Sequence, residues 1–373
     1  MSDLSNAATF STATVPLPVE WYFDARIYDV EKRLLFDAGP GYVGHELMVP
    51  SAGDYHALSW QGNARALVRD TDGISLLSNI CRHRQAVILN GRGTAKNIVC
   101  PLHRWTYALD GKLLGAPKFP GNPCLDLART PLTNWNGLLF AGRRDIARDV
   151  ARLGAESGVT RDLDFAGFMF DRVEVEEYAC NWKTFIEVYL EDYHVDPFHP
   201  GLGQVVNVGD LRWEFGEWYS VQTCGIKQAL AKPGSGVYQR WHEQVLQRAE
   251  GRQPAHGAIW LTYFPNIMIE WYPHVLVVSH IIPRGPGACT NVVEFYYPED
   301  IVLFEREFIE TEQAAYHETA VEDREIIDRM TAGRRALYEQ GTSEVGPYQS
   351  PLEDGMQHFH EFLRREIAPY LGL

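Results

Sequence analysis

The sequence predicts an α+β protein of two domains: a small all-β domain with two metal-ligand loops, then a larger domain of antiparallel strands and long helices. Three observations point there. Short strand-like runs separated by turn residues surround two loops, each with one cysteine and one histidine, between residues 55 and 107. A second series of runs between residues 211 and 297 is interrupted by Pro and Gly in the manner of hairpins. Two stretches with helical spacing, 181–193 and 299–338, frame that second series.

Composition sets the outer bounds. A chain of 373 residues can bury two cores, and 45% apolar with 22% charged residues is ordinary for a globular protein. No run of about 18 apolar residues occurs, so no transmembrane helix is expected. Residues 1–17 are rich in Ser, Thr and Ala, lack the basic start and apolar core of a secretory leader, and read as a mobile tail. Lys and Arg number 34 against 49 Asp and Glu, a net charge of −15 that argues against nucleic acid or membrane as partners. The cysteines at 81, 100, 124, 180, 224 and 289 are too scattered for a disulfide framework, which fits a reducing cytoplasm.

In chain order, Asp24 can cap a helix on which Ile27, Val30 and Leu34 share a face. Strand-like runs follow at 55–60, 64–69 and 74–80, punctuated by Asp70, Asp72 and Gly73, and a further run at 97–100 leads into the second loop. The loops are Cys81-x-His83 and Cys100-x-x-His103, with 16 residues between His83 and Cys100. Two cysteines for one iron and two histidines for the other make the ligand set of a Rieske 2Fe-2S cluster. A Cys₂His₂ zinc knuckle has the same count, but it usually pairs Cys with Cys and His with His, whereas both pairs here are mixed.

An Arg- and Asp-rich connection precedes a strand at 168–178. Then comes NWKTFIEVYLEDYHVDPFHP, where Trp182, Phe185, Ile186, Tyr189, Leu190 and Tyr193 form an amphipathic stripe. Glu187, Glu191 and His194 share a line beside it. His199 lies about 140° from His194 on an ideal helix, so a straight helix would not aim both at one point; Pro197 lets the chain turn and bring them together. Hydrogen-bonded core histidines are the bland alternative, but a cluster-binding domain upstream favours an iron site of two histidines and one carboxylate.

Strands are expected at 211–223, 258–265, 267–272, 275–282 and 291–297. Polar residues 225–257, with a helix at 237–248, border either a substrate entrance or plain surface. In the helical stretch 299–338, Asp323 falls on the line of Tyr316, Ala320, Ile327 and Met330, while Glu322 falls with Glu318, Glu325 and Arg329 on the solvated face. A carboxylate on an apolar face needs a partner or a metal, which favours Asp323 as the third ligand over Glu322. His45 reads as structural, and His358 and His360, on a last helix at 356–367, as packing or docking residues.

These motifs resemble the Rieske-type non-haem iron oxygenases, the terminal oxygenase (alpha) subunits of aromatic-ring-hydroxylating dioxygenases and quaternary-amine monooxygenases. Family loops commonly read C-R-H-R-G and C-P-Y-H-G-W-x-Y followed by D-G; Gln85, Leu102 and Arg104 depart from that form here. The N-W-K…E/D-x-x-H-x₄-H and E-D-x-x-I/L elements also match, the latter placing the carboxylate ligand on Asp323. The resemblance implies a tail and helix at 1–40, a Rieske domain at 41–145, a connection at 146–165 and a catalytic helix-grip domain with a curved antiparallel sheet at 166–373. Cys81, His83, Cys100 and His103 would hold the cluster, His194, His199 and Asp323 the mononuclear Fe(II). Glu191 would bridge a neighbouring subunit's cluster to the iron within a homotrimer. Electrons would come from NAD(P)H through a separate reductase, with or without a ferredoxin, and O2 would be the co-substrate. The expected reaction is hydroxylation or dihydroxylation of an aromatic compound. A monooxygenase or N-demethylase of a quaternary amine of the choline, carnitine or betaine type is the alternative, which a Glu at position 191 favours. A Rieske electron carrier without oxygenase activity is a more distant one.

Overall fold

The computed structural model describes residues 15–227, 234–249 and 254–371. Contacts divide the chain into two units: Ala38–Ile146 forms one, and the chain from Ala147 onward joins the N-terminal segment up to Asp37 in the other.

In the smaller unit, short apolar strands are buried on both faces. Arg65–Arg69 and Ile74–Ser78 each bury their three central residues and pair at the centre of a five-stranded antiparallel sheet. Two three-stranded sheets complete the unit. The first ligand loop is tied to the main sheet through Asn79, whose amide donates to the carbonyls of Asn63 and Leu89 and accepts from the Leu89 N–H. One buried side chain thus satisfies three backbone groups that the loop would otherwise leave open.

The larger unit is built on a seven-stranded antiparallel sheet in the order Phe168–Tyr178, Ala288–Pro298, Val275–Gly285, Ile267–Tyr272, Ala258–Tyr263, Tyr219–Ile226 and Val206–Phe215. The run expected as one strand at 211–223 is a hairpin. Gly216 accepts the turn because a β-carbon there would stand 2.1 Å from the Tyr219 ring. The helix Arg306–Gln340 packs against the helices Trp182–Tyr189 and Gly236–Arg248. The expected helical stretch 299–338 is divided at Glu305, which separates a short helix, Glu299–Phe304, from the long one. Together these elements make the α+β architecture that the strand and helix spacing predicts.

At the N-terminus, Asp24 caps Ala25–Glu31 by accepting from the Arg26 N–H at 2.8 Å. The tail expected to be mobile is seated from Val15 on: Leu17 is buried and Arg364 donates to the carbonyls of Val15 and Pro16. Residues 1–14 of that expectation lie outside the described residues, as do 228–233 and 250–253 of the polar stretch at 225–257. Within that stretch Ser235 caps Gly236–Arg248 by accepting from the N–H groups of Val237 and Tyr238.

The N-terminal helix is locked to the Trp182–Tyr189 helix by a fully buried ion pair. Lys183 Nζ lies 2.6 Å from Glu31 Oε1, both side chains are 0% exposed, and Trp182 Nε1 donates to Glu31 Oε2 at 2.9 Å. Removing one member of such a pair leaves an uncompensated charge, at about 3–5 kcal/mol. Glu31→Gln should therefore lower the calorimetric melting midpoint of this unit by roughly 6 °C or more. Adding Lys183→Met should restore most of that loss.

Candidate metal centres and the adjoining cavity

The two Cys/His loops sort their ligands by depth. Cys81 and Cys100 are buried, His83 is half-buried and His103 is exposed. The imidazole rings lie 4.7 Å apart between centroids, and His83 stacks on Trp105 at 5.1 Å with 4° between planes. Tyr107 braces the inner side: its hydroxyl lies 3.5 Å from Cys81 Sγ and accepts from the Arg82 N–H at 3.2 Å. His83 Nδ1 is buried without a hydrogen-bond partner, as an imidazole nitrogen reserved for a metal would be. Thiolates inside and imidazoles outside suit a two-iron cluster whose histidine iron exchanges electrons at the surface. The departures from the family's glycines have a conformational consequence. Gln85 and Arg104 both adopt left-handed backbone, φ 53° and 60°, which a residue with a β-carbon enters at about 1–2 kcal/mol.

In the larger unit, His194, His199 and Asp323 offer donor atoms within 4.8 Å of one another. His194 Nε2 and His199 Nε2 are 3.1 Å apart, and Asp323 Oδ1 lies 3.5 Å and 3.0 Å from them. Each ring is held from behind by an acid: Glu191 accepts from His194 Nδ1, and Glu322 Oε2 accepts from His199 Nδ1 at 2.7 Å. With Nδ1 donating, both Nε2 atoms present lone pairs to the same point, an arrangement that only a cation or a shared proton satisfies. Burial disfavours charge on His194, but the Asp323 and Glu191 carboxylates outweigh it and push the pKa up to about 10. A metal ion would supply the positive charge that this grouping of carboxylates and imidazole lone pairs calls for. The residues therefore fit a mononuclear iron.

The chain reaches this geometry differently from the sequence expectation. The helix ends at Tyr189, although the apolar stripe continues to Tyr193, which is exposed. The Glu191 carboxylate accepts the N–H groups of Tyr193 at 2.7 Å and His194 at 3.2 Å and starts a second short helix, Val195–Phe198. Pro197 sits inside that helix's first turn, where its missing N–H is not needed. The break that sets His199 beside His194 thus falls at 190–194, ahead of the proline. Glu187 does not continue the Glu191 line to the surface but is fully buried, 2.6 Å from Arg334 and 2.9 Å from His360.

A cavity opens from the three donors toward the sheet, walled by Tyr189, Trp241, Trp260, Tyr272 and Tyr316. Buried acids also line it: Glu270, Glu312 and Asp192. Sequence reasoning missed them, together with Glu322, which periodicity placed on the solvated face. One signal was available: Glu270 is the single charge inside the strand IMIEWY, where alternation alone would have put an apolar residue.

A buried thiolate-imidazole loop pair on a β domain, and two histidines with one carboxylate over an antiparallel sheet, define an oxygenase of the Rieske non-haem iron type. Residues 40–129 match the family described as Rieske [2Fe-2S] domain, and 156–368 match Ring hydroxylating alpha subunit (catalytic domain); the chain belongs to this alpha-subunit family. Its cofactors are a Rieske 2Fe-2S cluster and a mononuclear iron, and the class works with a reductase partner on a small organic substrate. The chain is 64% identical to a putrescine 2-hydroxylase of Ralstonia nicotianae, with 98% of this chain and 99% of the relative covered. A putrescine 2-hydroxylase of Bordetella bronchiseptica is 53% identical, with 99% and 88% covered. A crystal structure of a quaternary ammonium Rieske monooxygenase superposes with TM-score 0.72 at 18% identity, covering 98% of each chain, which is a likeness of fold. Among the described residues no helix is long and apolar enough to cross a membrane.

These relatives overturn the expected aromatic substrate and ring dioxygenation, since putrescine is an aliphatic diamine and the relatives are hydroxylases of it. The cavity gives the physical reason for the error. Its aromatic walls were legible as a flat apolar pocket, but the buried acids among them have no use for a neutral ring.

The left-handed positions in the cluster loops supply a test. Gln85→Gly and Arg104→Gly should keep the cluster and leave its thermal loss unchanged or shifted upward, by at most about 1 kcal/mol each. Bleaching of the visible absorbance on heating measures it.

Proposed function

We propose that the chain is the oxygenase component of an aliphatic diamine hydroxylase acting on putrescine or a close homologue. The observation that carries this reading is the cavity at the three iron donors, where aromatic walls enclose the buried carboxylate of Glu270, which has no ion pair among the described residues. The two hydroxylase relatives support it from sequence. One oxygen atom of O2 enters a C–H bond and the other leaves as water, with two electrons and two protons supplied. The electrons come from NAD(P)H through a reductase, directly or through a ferredoxin, in the reducing cytoplasm that the cysteine pattern fits.

We assign Cys81, His83, Cys100 and His103 to the cluster and His194, His199 and Asp323 to the iron. When bound, the cluster supplies electrons singly and the iron supplies open positions where O2 is activated. The protein's own residues do the rest. Glu191 and Glu322 hold the Nδ1 protons of the two imidazoles and thereby aim both Nε2 atoms inward. The aromatic walls exclude water from the alkyl chain of the substrate. Glu191 is also the carboxylate through which a neighbouring subunit's cluster would reach His194 in a homotrimer.

Purified chain with a reductase, NADH, O2 and putrescine should yield a product carrying one added oxygen, labelled when ¹⁸O2 is used. NADH oxidation that putrescine fails to stimulate, with no oxygenated product, would sink the reading. The ligand assignment predicts about three irons to two sulfides per chain. Asp323→Ala should lose the mononuclear iron and keep the Rieske spectrum, whereas Glu322→Gln should retain iron at roughly 10–100-fold lower affinity. Iron loss from Glu322→Gln matched by retention in Asp323→Ala would reverse the two roles.

Glu191→Gln keeps the shape of the side chain and removes its charge. Both metals should stay bound, while single-turnover oxidation of the pre-reduced cluster slows at least about tenfold, 1.4 kcal/mol of barrier. A wild-type rate removes Glu191 from the electron path.

A further inference from the structure

We propose that Glu270 is the carboxylate that binds a primary ammonium group of the substrate, within a ring of tyrosine and serine hydroxyls at the sheet side of the cavity. This rests on the amine reading above and names the residue that selects the amine. Glu270 is 0% exposed and lines the cavity that contains His194, His199 and Asp323. Tyr272 donates to its Oε2 at 2.8 Å, and Ser279 and Tyr316 donate to its Oε1 at 3.0 Å each. Trp260 Nε1 in turn donates to the Tyr272 hydroxyl at 2.9 Å. Every contact is a donor to the carboxylate, which is the hydrogen-bonding pattern of the ionised form.

No Lys, Arg or His among the described residues pairs with Glu270. Two other fully buried acids of this unit do have cations: Glu31 has Lys183, and Glu187 has Arg334 and His360. An ionised carboxylate out of water without a countercharge is among the costliest groups a fold can carry. Two more buried acids share the cavity, but Asp192 has His194 and Glu312 has Arg172 within electrostatic reach, and Tyr297 donates to Glu312. Burial alone pushes the Glu270 pKa up, against the hydroxyl donors.

Two further observations point to a ligand rich in N–H donors. Gln222 and Asn291, buried and lining the same cavity, leave Oε1 and Oδ1 without hydrogen-bond partners. Gln222, Trp260 and Glu270 stand in one cross-strand row on three neighbouring strands, which sets the amide and the carboxylate roughly 10 Å apart at the backbone. A primary ammonium offers three N–H donors to such acceptors and a full charge to Glu270. A quaternary ammonium offers no donor and would leave these acceptors unsatisfied. The aromatic walls stabilise either cation, so the carboxylate and amide oxygens make the distinction.

The test uses full-length protein with cluster and iron, kept anaerobic, and follows binding of putrescine and its N-trimethyl derivative by calorimetry alongside turnover. Glu270→Gln should weaken putrescine binding at least about thirtyfold, the low end for losing one partner of a buried charge pair. It should weaken the trimethyl derivative less, and so narrow the preference between the two. The same variant should melt no lower than wild type without amine and should lose the putrescine-induced rise in melting temperature; a purely structural glutamate would lower the ligand-free midpoint instead. Should Glu270→Gln fail to retain the cluster, Tyr272→Phe combined with Tyr316→Phe removes two donors to the carboxylate while keeping both rings. That pair should weaken putrescine several-fold, and wild-type binding there overturns the proposal. Wild-type protein that hydroxylates putrescine beside a Glu270→Gln variant binding it within about threefold overturns the ammonium site alone. Wild-type protein that neither binds nor hydroxylates a primary amine overturns the proposed function and this site together.

Discussion

Two imidazole lone pairs and a carboxylate oxygen converging on one point cannot satisfy one another, and much of the larger unit exists to hold them there. His194 and His199 are five residues apart, so the helix that carries the first must end before it. The Glu191 carboxylate secures that break by taking the backbone N–H groups of Tyr193 and His194 as well as the ring of His194. Adjacent residues on the long helix then divide the work. Asp323 faces the inner nitrogens, while Glu322 reaches the outer nitrogen of His199. The helix Trp182–Tyr189 that leads into the break is itself pinned by two buried charge networks, Lys183 with Glu31 and Glu187 with Arg334 and His360. Buried ion pairs contribute little net stability against well-packed apolar residues, but they fix orientation. Orientation is what a metal site on this short turn requires.

Much of the scaffold was legible in the sequence because its signals are local. Strand Phe168–Tyr178 and helix Gly236–Arg248 fall within a residue of their expected limits, since alternation marks the strand and Pro- and Gly-bearing flanks bound the helix. The Cys/His loops and the pair His194 and His199 stood out as residue types at short spacings, and Asp323 by its place on the apolar line of its helix. What escaped depended on where helices stop and on contacts between distant segments. The stripe reaching Tyr193 pointed to a helix four residues longer than the one formed, because periodicity cannot see a carboxylate turning back to cap its own backbone. His360 read as a packing residue, yet it closes a buried charge network with Glu187, 173 residues away in sequence. Glu322 was assigned to solvent by its helical phase, but an offset of about 100° from Asp323 still lets a four-atom side chain bend toward an imidazole. The left-handed backbone at Gln85 and Arg104 was hidden for a related reason: sequence shows the absence of glycine, and only the structure shows that the conformation was kept without it.

The substrate side of the cavity was the least legible, since aromatic content alone does not distinguish a bed for a flat ring from walls around a cation. Both use the same side chains, and the electrostatic attraction of a cation to a ring face is weak beside full burial of a charge pair. The deciding groups are few and sit on strands, where each strand contributes one residue to a cross-sheet row. Glu270 is invisible as a functional residue until Tyr272, Ser279 and Tyr316 are seen around it. Under the proposed function, the net charge of −15, first read only as excluding anionic partners, draws a dicationic substrate toward the surface over a Debye length of about 8–10 Å.

The fold likeness at 18% identity to a quaternary ammonium monooxygenase then has a physical interpretation. The sheet and the long helix are fixed by core packing and by the demand that two histidines and an aspartate converge, so the backbone tolerates wide sequence change elsewhere. Residues on the inner face of the sheet meet no such demand. A buried carboxylate there destabilises the ligand-free protein, and nothing in the packing calls for one: an apolar side chain of similar volume would fill the place between Val277 and Trp260 at less expense. A group that stability disfavours, ringed by hydroxyl donors and open to the cavity, is accounted for under the proposed function by a cation that enters there. Under that function, the helix ends set the iron donors and the sheet selects the substrate.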